Sequence, residues 1–382
     1  MTACFVFWFS LAALLYVYVG FMCLLVLIAL VRRRPAPRWC GGEPSVSIII
    51  CAYNEEKSIV QKIENCLALD YPHDKIEIIV VSDGSTDGTN DILNAYRHPL
   101  LRVMFMPQRA GKSACQNRAA QEARNDILFF TDATTMHPPE ALRVLLKGFS
   151  DPTVGCVTGR PVFRRDASMT CSGLSRREQY ELFLRRKLND VQTLFGAQDC
   201  MYAIPRRIFI PTRPDLDSGF VGPLQLLAKG YRTVYVFDAL AYIERRPPSL
   251  QDEFARRSRI VLHGLRGLIY MRRLMNPLRY GFTAVALISS RLLRWLSPVL
   301  LLTLFVSNLF LLHRGPAYGV MLLMQVLFYA AAWTGYRCER KGRHAGALLS
   351  VPFYFCMLMC AAVTAMVNLC RGETYQTWQT RR

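Results

Sequence analysis

The chain has 382 residues, 47 of them Lys or Arg against 28 Asp or Glu, for a formal charge of +19, and 52% are apolar. A soluble domain is nearer about 45–50% apolar, and the excess here lies in charge-free stretches at 5–31, 295–312, 317–336 and 345–370. Each reaches or approaches the roughly 20 residues that cross a ~30 Å hydrocarbon core, which excludes a freely soluble or a disordered protein.

The first stretch exceeds the length of a signal-peptide core and lacks a basic leader. It runs directly into Arg32-Arg33-Arg34, so it reads as a membrane span and not as a cleaved signal. By the positive-inside rule this basic stop, with Arg38, places the domain that follows on the cytoplasmic side. A proline- and glycine-rich linker over 34–44 leads off the membrane. Then come β-branched runs: Val46-Ser47-Ile48-Ile49-Ile50-Cys51-Ala52, Ile76-Glu77-Ile78-Ile79-Val80-Val81 and Ile127-Leu128-Phe129-Phe130. With so little polar alternation they read as strands buried on both faces, as in parallel sheets. Helical spacing over 57–69 (Ile59, Ile63, Cys66, Leu67) and helix formers over 112–123 separate them. The alternation predicts a doubly wound α/β sheet, whose ligands sit beyond the carboxyl ends of the strands.

The polar motifs fall at those ends. Ala52-Tyr53-Asn54-Glu55-Glu56 follows the first run and Ser82-Asp83-Gly84-Ser85-Thr86-Asp87-Gly88-Thr89 the second. Thr131-Asp132-Ala133-Thr134-Thr135 follows Phe130. Any one of them could simply cap the next helix, but capping does not explain all three at one sheet edge. Gly111-Lys112-Ser113 invites a P-loop reading; that motif wants a further glycine where Met106 stands.

In this order the motifs resemble those of the family 2 inverting glycosyltransferases, which include cellulose, hyaluronan and poly-N-acetylglucosamine synthases and ceramide glucosyltransferases. The resemblance runs from about Val46 to about Ile260. It implies a Rossmann-like, GT-A-type α/β catalytic domain that binds a nucleotide-sugar donor, expected to be UDP-linked. Tyr53, Glu55 and Asp83 are then expected at the base and ribose, the carboxylates as acceptors and the tyrosine as a stacking face. Lys112, opening a helix, suits the diphosphate. Asp132 is expected to hold a divalent cation, Mg²⁺ or Mn²⁺, which take oxygen ligands. Thr134 stands where the family has a second aspartate.

Inversion by direct displacement needs a carboxylate to deprotonate the acceptor hydroxyl. The resemblance puts the family's acid at Gly219 in Asp215-Leu216-Asp217-Ser218-Gly219-Phe220-Val221. Asp217, the nearest carboxylate, is the expected catalytic base, with helix capping as its plainer reading; Asp199 is the other carboxylate in view. Arg256-Arg257-Ser258-Arg259-Ile260 keeps both arginines of a family element but has isoleucine for its tryptophan, which leaves acceptor type and processivity open. Arg256 and Arg259 are expected at the diphosphate, since guanidinium binds phosphate oxygens in pairs.

Residues 245–279 carry nine arginines against Asp252 and Glu253. Phe254, Val261, Leu265 and Leu268 lie on one helical face and Arg256, Arg259, His263 and Arg266 on the other, which predicts an interfacial helix on anionic headgroups. The basic loop 337–343 marks a second cytoplasmic turn. Four simple spans leave the C-terminus outside, and a re-entrant pass near 280–297 would change that. Scattered cysteines on a reducing face give no disulfide framework, and the histidines show no zinc spacing. No nucleic-acid module accompanies the positive charge, so nucleic acid is not an expected partner.

The expected organisation is a transmembrane helix at 5–31, a cytoplasmic catalytic domain at 45–245, a basic interfacial segment at 246–294 and about three helices at 295–370. The expected activity is transfer of a sugar to a lipid or lipid-linked glycan acceptor, by an integral protein of the cell or inner membrane. A processive polysaccharide synthase and an inactive nucleotide-sugar-binding homologue are the alternatives.

Overall fold

The computed structural model describes residues 1–31, 42–164, 172–191, 193–244, 249–342 and 346–373. A long apolar helix, α1 (Thr2–Val31), precedes the α/β domain. That domain runs β1 (Val46–Ala52), α2 (Ile59–Leu67), β2 (Ile76–Ser82), α3 (Thr89–Ala95), β3 (Leu101–Phe105), α4 (Lys112–Glu122), β4 (Ile127–Asp132), β5 (Thr135–Met136) and α5 (Ala141–Leu146). It continues through β6 (Val154–Arg164), α6 (Ser172–Val191), β7 (Tyr202–Pro205), α7 (Ser218–Ala228) and β8 (Arg232–Glu244).

The strands form one sheet in the order β3-β2-β1-β4-β7-β6-β8-β5. The first four are parallel; β7 then runs antiparallel to both β4 and β6. Every residue of β1 is buried, and its side chains alternate between two cores. Val46, Ile48 and Ile50 pack with Ile59 and Ile63 of α2, whereas Ile49 and Cys51 pack with Cys115 and Ala119 of α4. Helices on both faces are what make a parallel strand read as an unbroken apolar run.

Beyond β8 lie α8 (Leu250–Tyr270), α9 (Phe282–Leu309), α10 (Pro316–Arg340) and α11 (Ala347–Cys370). With α1, the last three are long and apolar enough to cross a membrane. Hydroxyl pairs join α1 to α9: Ser10 Oγ lies 2.9 Å from Thr303 Oγ1, and Tyr16 Oη 2.8 Å from Ser289 Oγ. Such contacts replace the absent hydrophobic driving force between helices in lipid.

The boundary expected at 295 moves to Phe282. The segment over 280–297 is no separate re-entrant pass: a single helix begins at Phe282 and runs through to Leu309. Arg291 and Arg294 hid its start in the sequence, yet both have partners inside the protein. Arg294 Nη2 lies 2.7 Å from Glu181 Oε1, and the Arg291 guanidinium sits over the Phe220 ring at 5.8 Å. The apolar face of α8 is covered by protein. Leu262, Leu265 and Leu268 are buried in protein. Gly264 abuts the Trp295 ring and Gly267 abuts Phe220 and Val221, and α8 packs against the span α11. The basic linker residues Arg32–Arg34 and Arg38, with Arg245, Arg246 and Arg343, lie outside the described residues.

Candidate active site

The sheet register sets the site. Cys51 of β1 pairs with Val81 of β2 and with Asp132 of β4, so the three strands end flush. The turns that follow are tied together. Asp83 N–H donates to Ala52 O (2.8 Å), and Thr86 N–H donates to Asn54 Oδ1 (2.8 Å). Asn54 takes a left-handed backbone (φ 54°) to make that turn. Capping accounts for part of this edge: Asp87 Oδ1 accepts from Thr89 N–H (3.0 Å) at the start of α3.

Asp83 does something else. Its carboxylate reaches across to the loop before α4 and accepts from Ala110 N–H (2.7 Å) and Gly111 N–H (3.0 Å). Gly84 (φ +63°) lets the two loops close, because a Cβ there would stand 2.8 Å from Arg109 N. The same loop lays the Arg109 guanidinium over the Tyr53 ring, 3.7 Å from its centroid. Lys112, the first residue of α4, sends Nζ to within 2.5 Å of Asp132 Oδ1. Tyr53, Asp83, Lys112 and Asp132 are thus linked into one rim at the carboxyl ends of β1, β2 and β4. Burial works against the Lys112 charge, but Asp132 and Asp199 hold its pKa well above the usual lysine value.

The other expected residues fall less simply. Glu55 is fully buried, and its carboxylate accepts from Ser58 Oγ before α2. The structure therefore gives it a part in ordering that turn. Arg256 makes a two-point ion pair with Glu253 on its own helix (2.7 and 2.8 Å), and Arg259 lies on α8 close enough to act on His263. Asp217 caps α7, its Oδ1 accepting from Gly219 N–H at 2.9 Å. Asp199 faces the same turn from the loop before β7, 4.0 Å from Lys112 Nζ. Burial first, then Asp217 and Asp132, hold its carboxyl above the ordinary range, with Lys112 opposing.

Sequence reasoning gave no site role to three residues. Lys62 is fully buried and donates to Thr131 Oγ1 (3.0 Å) and Thr135 O (2.5 Å), bracing the turn that carries Asp132; burial pushes its pKa down. Arg109 carried no motif. His263 reaches the Asp217 neighbourhood from α8, and burial lowers its pKa while Asp217 raises it. Helical spacing put Lys62 on α2 and His263 on the basic face of α8, without a role for either.

Among the described residues no three His, Cys, Asp or Glu side chains cluster to form a metal site. Asp132 stands as a single carboxylate beside an exposed Thr134. This donor set fits Mg²⁺ or Mn²⁺ only if phosphate oxygens and water complete the shell, which is how such cations bind with substrate phosphates. A cleft of about 510 Å³, lined by Asp126, Asp151, Arg206 and Arg207 among others, contains none of the site residues.

The sequence profile of Glycosyl transferase family 2 matches residues 47–210. The chain is 34% identical over 128 residues to beta-monoglucosyldiacylglycerol synthase of Synechocystis sp., covering 32% of this chain and 27% of that protein. It is 29% identical over 126 residues to poly-beta-1,6-N-acetyl-D-glucosamine synthase of Staphylococcus aureus, covering 32% and 30%. The match thus spans under a third of either relative's length. The fold is similar to that of the mannosyltransferase PcManGT from Pyrobaculum calidifontis, solved with GDP-Man and Mn²⁺. There the TM-score is 0.69 at 22% identity, covering 96% of this chain and 99% of that one.

Proposed function

We propose that this chain, whose residues 47–210 match the Glycosyl transferase family 2 profile, transfers a sugar, with inversion, from a UDP-linked donor to a lipid or lipid-linked glycan. The observation that carries this reading is the rim itself: Lys112 bonded to Asp132, with Asp83 gripping the loop from which α4 and Lys112 start. Hydrogen bonds within the protein tie two loops and a helix terminus together, as positioning of a charged leaving group requires.

In this reading Tyr53, Asp83 and Arg109 line the nucleoside side. Lys112 and the first turn of α4 meet the diphosphate, and Arg259 approaches from α8. Asp132 would hold Mg²⁺ or Mn²⁺, which would supply charge neutralisation for the departing diphosphate. A carboxylate facing the first turn of α7, from Asp199 or Asp217, accepts the proton of the acceptor hydroxyl. Phe220, in that same turn, belongs to one apolar cluster with Phe21 and Leu25 of α1 and Leu287 of α9. This continuity between the site and the spans supports an acceptor presented from the bilayer. The basic stretch after α1 and the basic end of α10 support a cytoplasmic catalytic face.

The test is nucleoside diphosphate release by the full chain in detergent. UDP-glucose, UDP-N-acetylglucosamine and GDP-mannose are each supplied with Mg²⁺ or Mn²⁺ and phosphatidylcholine vesicles doped with diacylglycerol. Release from a UDP-sugar that depends on the doped lipid, with one glycolipid product, is expected. A ladder of product lengths would favour a polymer synthase, and nucleotide binding without release would favour an inactive homologue.

A further inference from the structure

Gly219 is the second residue of α7, and no left-handed backbone there calls for glycine. Its reason is space. A Cβ at 219 would overlap Asp199 Oδ1 outright and stand 2.9 Å from Asp199 Cγ. The two positions are fastened to each other: Ala197 N–H donates to Gly219 O (2.7 Å). Asp199 itself sits in a tight turn closed by Met201 N–H to Gln198 O (2.9 Å), with Gln198 N–H donating to Thr158 Oγ1 (2.8 Å). An acid growing from position 219 and the carboxylate of Asp199 would compete for one volume. The sequence has filled that volume from 199 and left 219 bare.

The two nearby carboxylates differ in what already holds them. Asp217 Oδ1 is committed to the Gly219 N–H. Asp199 Oδ1 is buried with no hydrogen-bond partner among the described residues, while its side chain as a whole is 42% exposed and so open to an incoming group. Resting on the transferase reading above, we propose that Asp199, and not Asp217, is the general base, and that it replaces from the β7 side an acid that α7 no longer supplies. The Asp199 carboxylate takes the proton of the acceptor hydroxyl. The acceptor oxygen forms the new bond to the anomeric carbon, and the old bond to the diphosphate oxygen breaks. Its electron pair leaves on the diphosphate, beside Lys112.

The experiment is a reciprocal exchange in the full chain: Asp199→Gly, Gly219→Asp and the double variant, with Asp199→Asn as an isosteric control that keeps the packing. Release of nucleoside diphosphate from the donor selected above and the Kd for that nucleoside diphosphate are both measured. Asp199→Gly and Asp199→Asn should lose about 10²- to 10⁴-fold in turnover, with Kd unchanged within about twofold. The double variant should recover at least about tenfold over Asp199→Gly, because the carboxylate returns to the same volume from the other side. Turnover within about threefold of wild type in Asp199→Asn overturns the proposal. So does a double variant that binds nucleotide normally yet stays as slow as Asp199→Gly. A wild-type protein that binds no nucleoside diphosphate overturns the transferase reading itself, which separates the two failures.

Discussion

Lys112 Nζ lies 2.5 Å from Asp132 Oδ1, joining the start of α4 to the end of β4 across the carboxyl edge of the sheet. The side chains are only about a fifth exposed, so each charge depends on the other for compensation. Asp132→Ala should therefore do more than delete one cation ligand: it leaves Lys112 with Asp199 as its remaining partner. Turnover in Asp132→Ala should fall by about 10²-fold or more, and excess Mn²⁺ should not restore it. If chelation leaves wild-type turnover intact while Asp132→Ala still abolishes it, Asp132 acts through Lys112 alone.

Arg109 covers the Tyr53 ring, and its Nε and Nη2 are buried without hydrogen-bond partners among the described residues. Buried donors of this kind cost stability unless a ligand takes them. Arg109→Ala should weaken nucleoside diphosphate binding about tenfold, with little loss of thermal stability. Calorimetric titration of UDP checks it, and an unchanged Kd would remove Arg109 from the nucleotide site.

Glu181 of α6 faces Arg294 at 2.7 Å, each about a quarter exposed. Burial alone would raise the Glu181 carboxyl, but Arg294, with Arg185 and Arg291 nearby, brings it down to about 2. A carboxylate depressed in the folded state stabilises above its unfolded pKa of about 4.3, and that contribution disappears as pH falls toward about 2. Melting temperature in detergent should accordingly drop between these limits. Glu181→Gln should flatten that dependence and cost about 3 kcal/mol at neutral pH. An equally steep acid profile in the variant would place the sensitivity elsewhere.

Gly264 of α8 touches Trp295 of α9 so closely that a Cβ would fall 2.8 Å from Cζ3 of the indole. Gly264→Val should cost about 1–3 kcal/mol through overpacking and shift the Trp295 fluorescence. A neutral result would mean that α8 is not held against the span as described.

Much of this protein was legible without coordinates. Because β1, β2 and β4 are covered on both faces, their sequences had to be unbroken apolar runs, and those runs announced a parallel sheet. Strand ends are where such a sheet exposes polar groups, so Tyr53, Asp83 and Asp132 could be assigned to one edge from order alone, with Lys112 added by resemblance. The four spans declared themselves because lipid admits no charge without a partner. That same criterion misplaced the start of α9: the partner of Arg294 is Glu181, more than a hundred positions earlier, and no local pattern reveals such a pair.

What only the tertiary structure decided are relations between distant segments. Lys62 carries no signal in the sequence, and only the β4–β5 turn closing over it shows its part. Arg109 acquired meaning from the ring it covers. Gly219 read as a lost acid, and the fold shows Asp199 standing in its volume. Periodicity and burial are properties of one segment and its average surroundings, so a sequence carries them openly. Which two side chains share a space depends on how segments pack, and that is fixed only when the whole chain closes.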